Sequence, residues 1–319
     1  MSEKILITGG NGLVGSALAE VYTPPPDQMG EFENKNIIRV GSAEYNLINK
    51  SEVNLMFMNH RPKKVIHAAA RVGGLGSNMK YKGEYFYDNL MMNANVIDQA
   101  RIWGVKKLVA FLTTCAFPAE VEYPLDHTKI HLGEPHESNF GYAYAKRMAE
   151  VQIRAYREQY RSLKYSCVIP TNIYGPNDNF SLEHGHVVPM LIHKLYKAQR
   201  DGTDFTVWGS GKPLREFIFS RDVAKLTQWV LDKYEGEAPL ILSTSDEITI
   251  EHLVDLLVKE FKFKGKVKFD SSKPDGQYRK PSDNSLIKDL VPAFKFTPIE
   301  EGIKETVQWL KENYDEARW

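Results

Sequence analysis

Tyr142-Ala143-Tyr144-Ala145-Lys146 sets a phenol and an ammonium four residues apart, on one face of any helix that carries them. An ammonium so placed stabilises a phenolate and draws the phenol pKa down toward neutrality, where it exchanges protons with a carbonyl or an alcohol. The same spacing arises on ordinary amphipathic helices, and Tyr144 in the same stretch reads as packing. Company strengthens the catalytic reading. Thr113 ends the apolar run Lys107-Leu108-Val109-Ala110-Phe111-Leu112, where a hydroxyl beside the phenol can hold a substrate oxygen. Cys115 follows two residues on, so along an extended strand its thiol shares a face with the Thr113 hydroxyl. Phe117-Pro118 ends that strand just beyond, and a thiol tuned there by positive charge acts as acid or base. Cys167, mid-strand among apolar neighbours, reads instead as inert and buried. His186, in Glu183-His184-Gly185-His186-Val187-Val188-Pro189, is a titrating acid/base, a helix-start histidine, or half of a metal pair with His184. No third ligand stands at familiar spacing, so no metal is expected.

These side chains need a scaffold, and the first sign of one is Thr8-Gly9-Gly10-Asn11-Gly12-Leu13-Val14-Gly15. It joins the apolar run Lys4-Ile5-Leu6-Ile7 to the helix-forming Ser16-Ala17-Leu18-Ala19-Glu20-Val21. In a dinucleotide fingerprint, Gly9 makes the tight turn, Gly12 lets the backbone approach a pyrophosphate, and Gly15 packs the helix onto the strand. The helix start then offers free N–H groups to the phosphates. A second strand, Asn36-Ile37-Ile38-Arg39-Val40, is reached through the surface loop Thr23-Pro24-Pro25-Pro26. Its end carries Arg39 and Ser42 with no acid until Glu44; a cation and a hydroxyl suit the 2′-phosphate of NADP, the alternative being a solvated arginine. Further strands are expected at 64–70, 107–114 and 164–170, with helices near 51–60, 85–104 and 141–160. This alternation predicts an α/β fold, a Rossmann-type doubly wound parallel sheet covered on both faces. Ligands collect at the carboxyl ends of such strands, where Thr113, Cys115 and Thr171-Asn172 fall.

Beyond Gly175 the rhythm changes to turns, short strands and helices near 187–200, 221–234, 250–261 and 299–313. Residues 1–174 with about 215–245 are expected to form the NADP-binding domain, the run 215–219 returning to its sheet. About 175–214 and 246–319 then form a smaller mixed α/β substrate domain. Lys194, Trp208, Arg215 and the run Lys273-Pro274-Asp275-Gly276-Gln277-Tyr278-Arg279-Lys280 could grip a diphosphate, with Asp275 accepting from a base or sugar. The competing reading is solvated charge. Forty-one basic residues balance forty-one acidic ones, so no global field draws the chain to nucleic acid or lipid. Met1 leads straight into a charged start and no apolar run would span a bilayer, so a cytoplasmic protein with both thiols reduced is expected.

The glycine motif, Thr113 and the Tyr142/Lys146 pair resemble the extended short-chain dehydrogenase/reductase superfamily that acts on nucleotide sugars. Within it the chain resembles the 3,5-epimerase/4-reductase branch, through Ala69-Ala70-Arg71-Val72-Gly73-Gly74, Thr114-Cys115-Ala116-Phe117-Pro118, and Pro170-Thr171-Asn172-Ile173-Tyr174-Gly175-Pro176. His186-Val187-Val188-Pro189, Val207-Trp208-Gly209-Ser210-Gly211, Arg215-Glu216-Phe217 and Lys273-Pro274-Asp275-Gly276 extend the likeness along nearly the whole chain. The resemblance implies that Tyr142 is the acid of reduction, Lys146 its electrostatic partner and ribose ligand, and Thr113 the hydroxyl helper. Cys115 and His186 become the epimerising pair. Gly9 to Gly15, Arg39, Ser42, Phe111, Leu112, Thr113, Thr114, Pro170 to Ile173 and His186 would line NADP(H). Lys194, Trp208, Arg215 and Asp275 would hold GDP-4-keto-6-deoxy-mannose. A homodimer pairing the helices near 85–104 and 141–160 is also implied. Two positions depart from the family pattern: Thr113 where serine is expected, and Lys194 where an arginine fork would grip phosphate bidentately. The rival readings are another nucleotide-sugar epimerase/reductase of the superfamily, such as an NAD-holding 4-epimerase, and a redox-sensing binding protein without turnover.

Overall fold

The computed structural model describes residues 3–23, 36–273 and 275–319. The elements run β1 (Lys4–Thr8), α1 (Leu13–Tyr22), β2 (Asn36–Val40), α2 (Lys50–His60), β3 (Lys64–His67), α3 (Leu75–Lys80), α4 (Lys82–Ile102), β4 (Lys107–Phe111), α5 (Phe140–Gln159) and β5 (Lys164–Pro170). They continue with β6 (Asn172–Tyr174), α6 (Val187–Asp201), β7 (Phe205–Trp208), β8 (Leu214–Phe219), α7 (Ser220–Lys233), β9 (Leu240–Leu242), β10 (Glu247–Thr249), α8 (Ile250–Phe261), β11 (Val267–Asp270), α9 (Ser285–Leu290) and α10 (Ile299–Glu312).

A parallel sheet in the order β2-β1-β3-β4-β5-β9 forms the larger lobe. The central strands β1, β3, β4 and β5 are apolar and buried along most of their length because both faces are covered. Successive side chains alternate between two cores, as the period of a strand requires. Leu6, Val65 and Leu108 join one core with Phe57 of α2, Val96 of α4 and Ile153 of α5. Ile5, Ile7, Ile66 and Val109 join the other with Leu18 of α1 and Val223 of α7. The smaller lobe has its own core, around Tyr174, Leu191, Phe217, Leu257 and Val307, supported by the sheets β10-β8-β6 and β11-β7.

Two expectations fail locally. The 215–219 run does not return to the large sheet; β8 pairs with β6 and β10, because the edge beside β5 is taken by β9. From that stretch only α7 and β9 rejoin the larger lobe, and α9 packs beside β9 later in the chain. The strand at 107–114 also stops at Phe111. Thr114–Ala116 is instead a 3-10 turn, because the Thr113 hydroxyl accepts the Cys115 N–H at 3.2 Å and the Thr113 carbonyl accepts the Ala116 N–H at 3.0 Å. A side chain that satisfies its own local backbone competes with the ladder and wins here. Pro24, Pro25 and Pro26, read as a surface loop, lie outside the described residues.

Candidate active site

The sequence-derived residues lie at the carboxyl ends of β1, β2, β4 and β5, on α5, and on the smaller lobe. Gly9, at φ 72°, turns the chain out of β1; a Cβ on it would fall 2.8 Å from the Ala69 amide nitrogen. A Cβ on Gly15 would fall 2.6 Å from the Gly10 Cα, so α1 lies directly on the turn. Gly12 caps α1 with no side chain over its first N–H groups, which leaves the positive end of that helix aimed outward. Asn11 lies beside Gly41 and Gly10 lies against the Arg39 backbone, bringing the end of β2 to the glycine turn. Arg39 and Ser42 are both exposed there. Beneath the turn, Thr8 Oγ1 bonds His67 Nδ1 at 2.7 Å, and His67 Nε2 bonds Asn93 Oδ1 at 2.9 Å. Burial drives that imidazole down to about 3, so it stays neutral and structural.

The side chains of α5 approach the end of β4. Lys146, 1% exposed, donates from Nζ to the Phe111 carbonyl at 2.7 Å, and burial lowers its pKa to about 8. Its Nζ lies 5.8 Å from the centroid of the Tyr142 ring. The expected lowering of the phenol is reversed: desolvation pushes Tyr142 upward, reinforced by the Cys115 thiol and Tyr85. The physical reason is burial of the phenol, which the Lys146 ammonium, bonded to the Phe111 carbonyl, does not offset. A phenol held protonated at neutral pH suits an acid. Tyr144 turns to the Arg147 guanidinium, 5.3 Å from its ring centroid, and Arg147 Nε in turn donates to the Ala116 carbonyl at 2.6 Å. The half-buried Cys115 is thus carried on a turn that is capped by Thr113 and braced from α5.

The smaller lobe supplies further residues. His186 heads α6, and desolvation lowers its imidazole pKa. His184 points elsewhere, its Nδ1 3.3 Å from Ser77 Oγ, so it is not paired with His186. Lys194 Nζ lies 4.4 Å from the Trp208 ring centroid and Lys273 Nζ 5.4 Å from the same ring, which is 56% exposed. Lys194 and Trp208 line a cleft of about 350 Å³ together with Leu182, Asp204, Phe205 and Thr206. Arg215 is half-buried, and desolvation lowers its pKa. Asp275 accepts from the Ser210 amide at 2.6 Å and from the Ser210 hydroxyl at 2.7 Å, so part of its accepting capacity holds the loop. Thr171 is buried and Asn172 donates to the Glu216 carbonyl at 2.8 Å, fastening the end of β5 to β8.

One residue of the basic run read from sequence as a diphosphate grip stands instead near the candidate thiol. Lys280 is desolvated enough to lower its pKa, and it shares its surroundings with Cys115 and Arg215. Its segment is fastened to the loop beyond the Cys115 turn, with the Leu125 N–H donating to the Pro281 carbonyl at 2.9 Å. The only hint in the sequence was its place at the end of a basic run, which solvated lysines share.

The glycine cradle, its uncapped helix start and the buried Thr171 Oγ1 without a partner fit a dinucleotide, with nothing in the turn to obstruct a pyrophosphate. Residues 5–242 match the model of the NAD dependent epimerase/dehydratase family. A GDP-L-fucose synthase from Dictyostelium discoideum is 48% identical, the alignment covering 98% of this chain and 97% of that protein. A probable GDP-L-fucose synthase from Drosophila melanogaster is 42% identical over 99% of each. The crystal structure of a GDP-L-fucose synthetase from Naegleria fowleri bound to NADP superimposes with a TM-score of 0.93 at 44% identity, covering 99% of this chain and 95% of that one.

Proposed function

The chain belongs to the NAD dependent epimerase/dehydratase family, and we propose that it inverts C3 and C5 of GDP-4-keto-6-deoxy-mannose and then reduces C4, giving GDP-L-fucose. It is an NADPH-dependent oxidoreductase of GDP-L-fucose synthesis. The observation that carries the residue roles is the convergence on one β4 end: Lys146 on the Phe111 carbonyl, Tyr142 beside it, and Thr113 capping the turn that bears Cys115.

A C4 ketone acidifies the hydrogens on both neighbouring carbons. Inversion needs a base on one face of the ring and an acid on the other, and Cys115 and His186 take those parts. The resulting enolate carries its charge on the C4 oxygen, where the Tyr142 and Thr113 hydroxyls stabilise it. When bound, NADPH supplies the hydride to C4. Tyr142, protonated at neutral pH like any phenol, delivers the proton to that oxygen. Lys146 fixes the reach of α5 and binds the ribose. Gly9, Gly10, Asn11, Gly12, Leu13, Val14 and Gly15 hold the pyrophosphate, and Arg39 and Ser42 select the 2′-phosphate. Phe111 to Thr114, Pro170 to Ile173 and the His186 ring border the nicotinamide half. Lys194, Trp208, Arg215 and Asp275 hold the GDP moiety, the indole stacking on the base and the two cations facing the diphosphate.

Residues 1–174 with the α7–β9 stretch act as the coenzyme domain and the remainder as the substrate domain. The enzyme works as a homodimer through α4 and α5, whose outer faces expose Phe86, Tyr87 and Met148. A cytoplasmic location agrees with two free cysteines. Among the described residues no helix is long and apolar enough to cross a membrane.

The test is to supply GDP-4-keto-6-deoxy-mannose with NADPH or NADH and follow coenzyme oxidation; no oxidation with either coenzyme would refute the reading. Cys115→Ser should cripple solvent deuterium incorporation at C3 and C5 while NADPH binding persists. Equal loss of both would make the cysteine structural.

A further inference from the structure

The segment that follows α10 folds back. Tyr314–Glu316 makes a 3-10 turn, Ala317 is buried, and Arg318 then forms a parallel bridge with Asn179, its carbonyl accepting the Phe180 N–H at 2.8 Å. Trp319 anchors the segment on α6, its ring centroid 4.4 Å from that of His193 and 4.8 Å from that of Tyr314. His193 Nδ1 in turn bonds the Phe180 carbonyl at 2.8 Å. This fastening fixes where the Arg318 side chain goes. Its Nη2 donates to the Asn177 carbonyl at 2.7 Å, and its Nη1 lies 3.9 Å from where a Cβ on Gly12 would stand. Gly12 is the glycine whose missing side chain lets a pyrophosphate approach the backbone. The guanidinium therefore reaches, from the substrate-side elements, the very edge of the phosphate turn.

A charge partner is built in. Asp178 is 3% exposed; its Oδ1 accepts the Asn179 N–H at 2.7 Å, while its Oδ2 has no hydrogen-bond partner. Burial raises that carboxyl to about 7, opposed by the backbone bond and by the Arg318 charge. Asp178 feels the Arg318 charge, yet among the described residues no close ion pair holds the guanidinium, which keeps its remaining donors for another anion. Asn177, at φ 63°, supplies the bend that aims its carbonyl at Arg318.

We infer that Arg318 is a coenzyme-positioning residue, a clamp that closes on the pyrophosphate opposite the start of α1. The uncapped N–H groups of α1 bind one side of the diphosphate and the Arg318 fork binds the other. Because Trp319 and Phe180 tie the same segment to α6, coenzyme binding also stiffens the helix that carries His186 and Lys194. The inference rests on the coenzyme reading above, and the experiment separates the two.

Dissociation constants are measured by fluorescence on the full-length protein for NADPH and for adenosine 2′-phosphate, which keeps the 2′-phosphate end but lacks the pyrophosphate. Arg318→Ala should weaken NADPH at least about tenfold, as expected for one lost charge-assisted fork, and leave adenosine 2′-phosphate within about twofold. Arg318→Lys, which keeps the charge and loses the fork, should fall between. The slope of NADPH affinity against salt should also shrink in Arg318→Ala. NADPH binding unchanged in Arg318→Ala overturns the proposal, as does an equal loss for both ligands, which marks a merely structural arginine. If Arg318→Ala does not fold, Arg318→Lys decides: affinity equal to the parent overturns the clamp. Failure of the parent protein itself to bind NADPH would sink the coenzyme reading instead.

Discussion

Lys146 shows how a single side chain sets the protonation of its neighbours. Its ammonium donates to the Phe111 carbonyl and ties α5 to the end of β4, while burial keeps the Tyr142 phenol protonated. Tyr142→Phe should therefore cut reduction by about 10² to 10⁴, the range for a lost general acid, with the unfolding midpoint little changed. Near-normal NADPH oxidation would remove Tyr142 from the acid role. Lys146 also leaves a mark on stability. Its folded pKa of about 8 lies below the roughly 10.4 of an unfolded lysine. Below pH 8 both states hold the proton and the fold bears the full cost of burying the charge. Between these values the unfolded chain binds the proton more tightly, so stability contributed by this group rises with pH. Denaturant titrations of the coenzyme-free protein across that window should show the rise, and Lys146→Met should flatten it. The Tyr142/Lys146 pair was legible because helical spacing is a local property of sequence. The placements of Lys280 and Arg318 were not, since nothing near either one encodes the distant Cys115 or Gly12 that it faces.

The 3-10 turn at Thr114–Ala116 does at the level of an element what an extended strand could not. It lifts Cys115 out of the ladder, with Thr113 capping the turn from one side and Arg147 bracing it from the other. Thr113→Val removes the cap and the helper hydroxyl together. It should cost about 1 kcal/mol of stability, a typical loss for a cap. Reduction should fall roughly 10²-fold, as when one oxyanion donor is lost. Thr113→Ser should retain both, measured by denaturation and NADPH oxidation; a Val variant as active as Ser would leave the hydroxyl without a catalytic part. The alternation of strands and helices was readable because doubly covered strands are continuous apolar runs, as Ile5-Leu6-Ile7 shows. What the pattern withheld was pairing. Strand propensity at β8 is the same whichever sheet it joins, and the choice of β6 and β10 follows from the β9 edge.

Across the whole molecule, zero net charge leaves recognition to local groups, and the proposed homodimer would form on the apolar side chains exposed on α4 and α5. Tyr87, 55% exposed, lies in α4; Tyr87→Glu should shift the species in light scattering from dimer to monomer, and an unchanged mass would exclude this face. The chain does not visit its two lobes in turn. It leaves the large sheet between β5 and β6, returns at α7 and β9, departs again for β10, α8 and β11, revisits through α9 beside β9, and ends with α10 packed on α8. A covalent weave of that kind makes neither half contiguous in the chain, so no single cut could release either one as an intact piece.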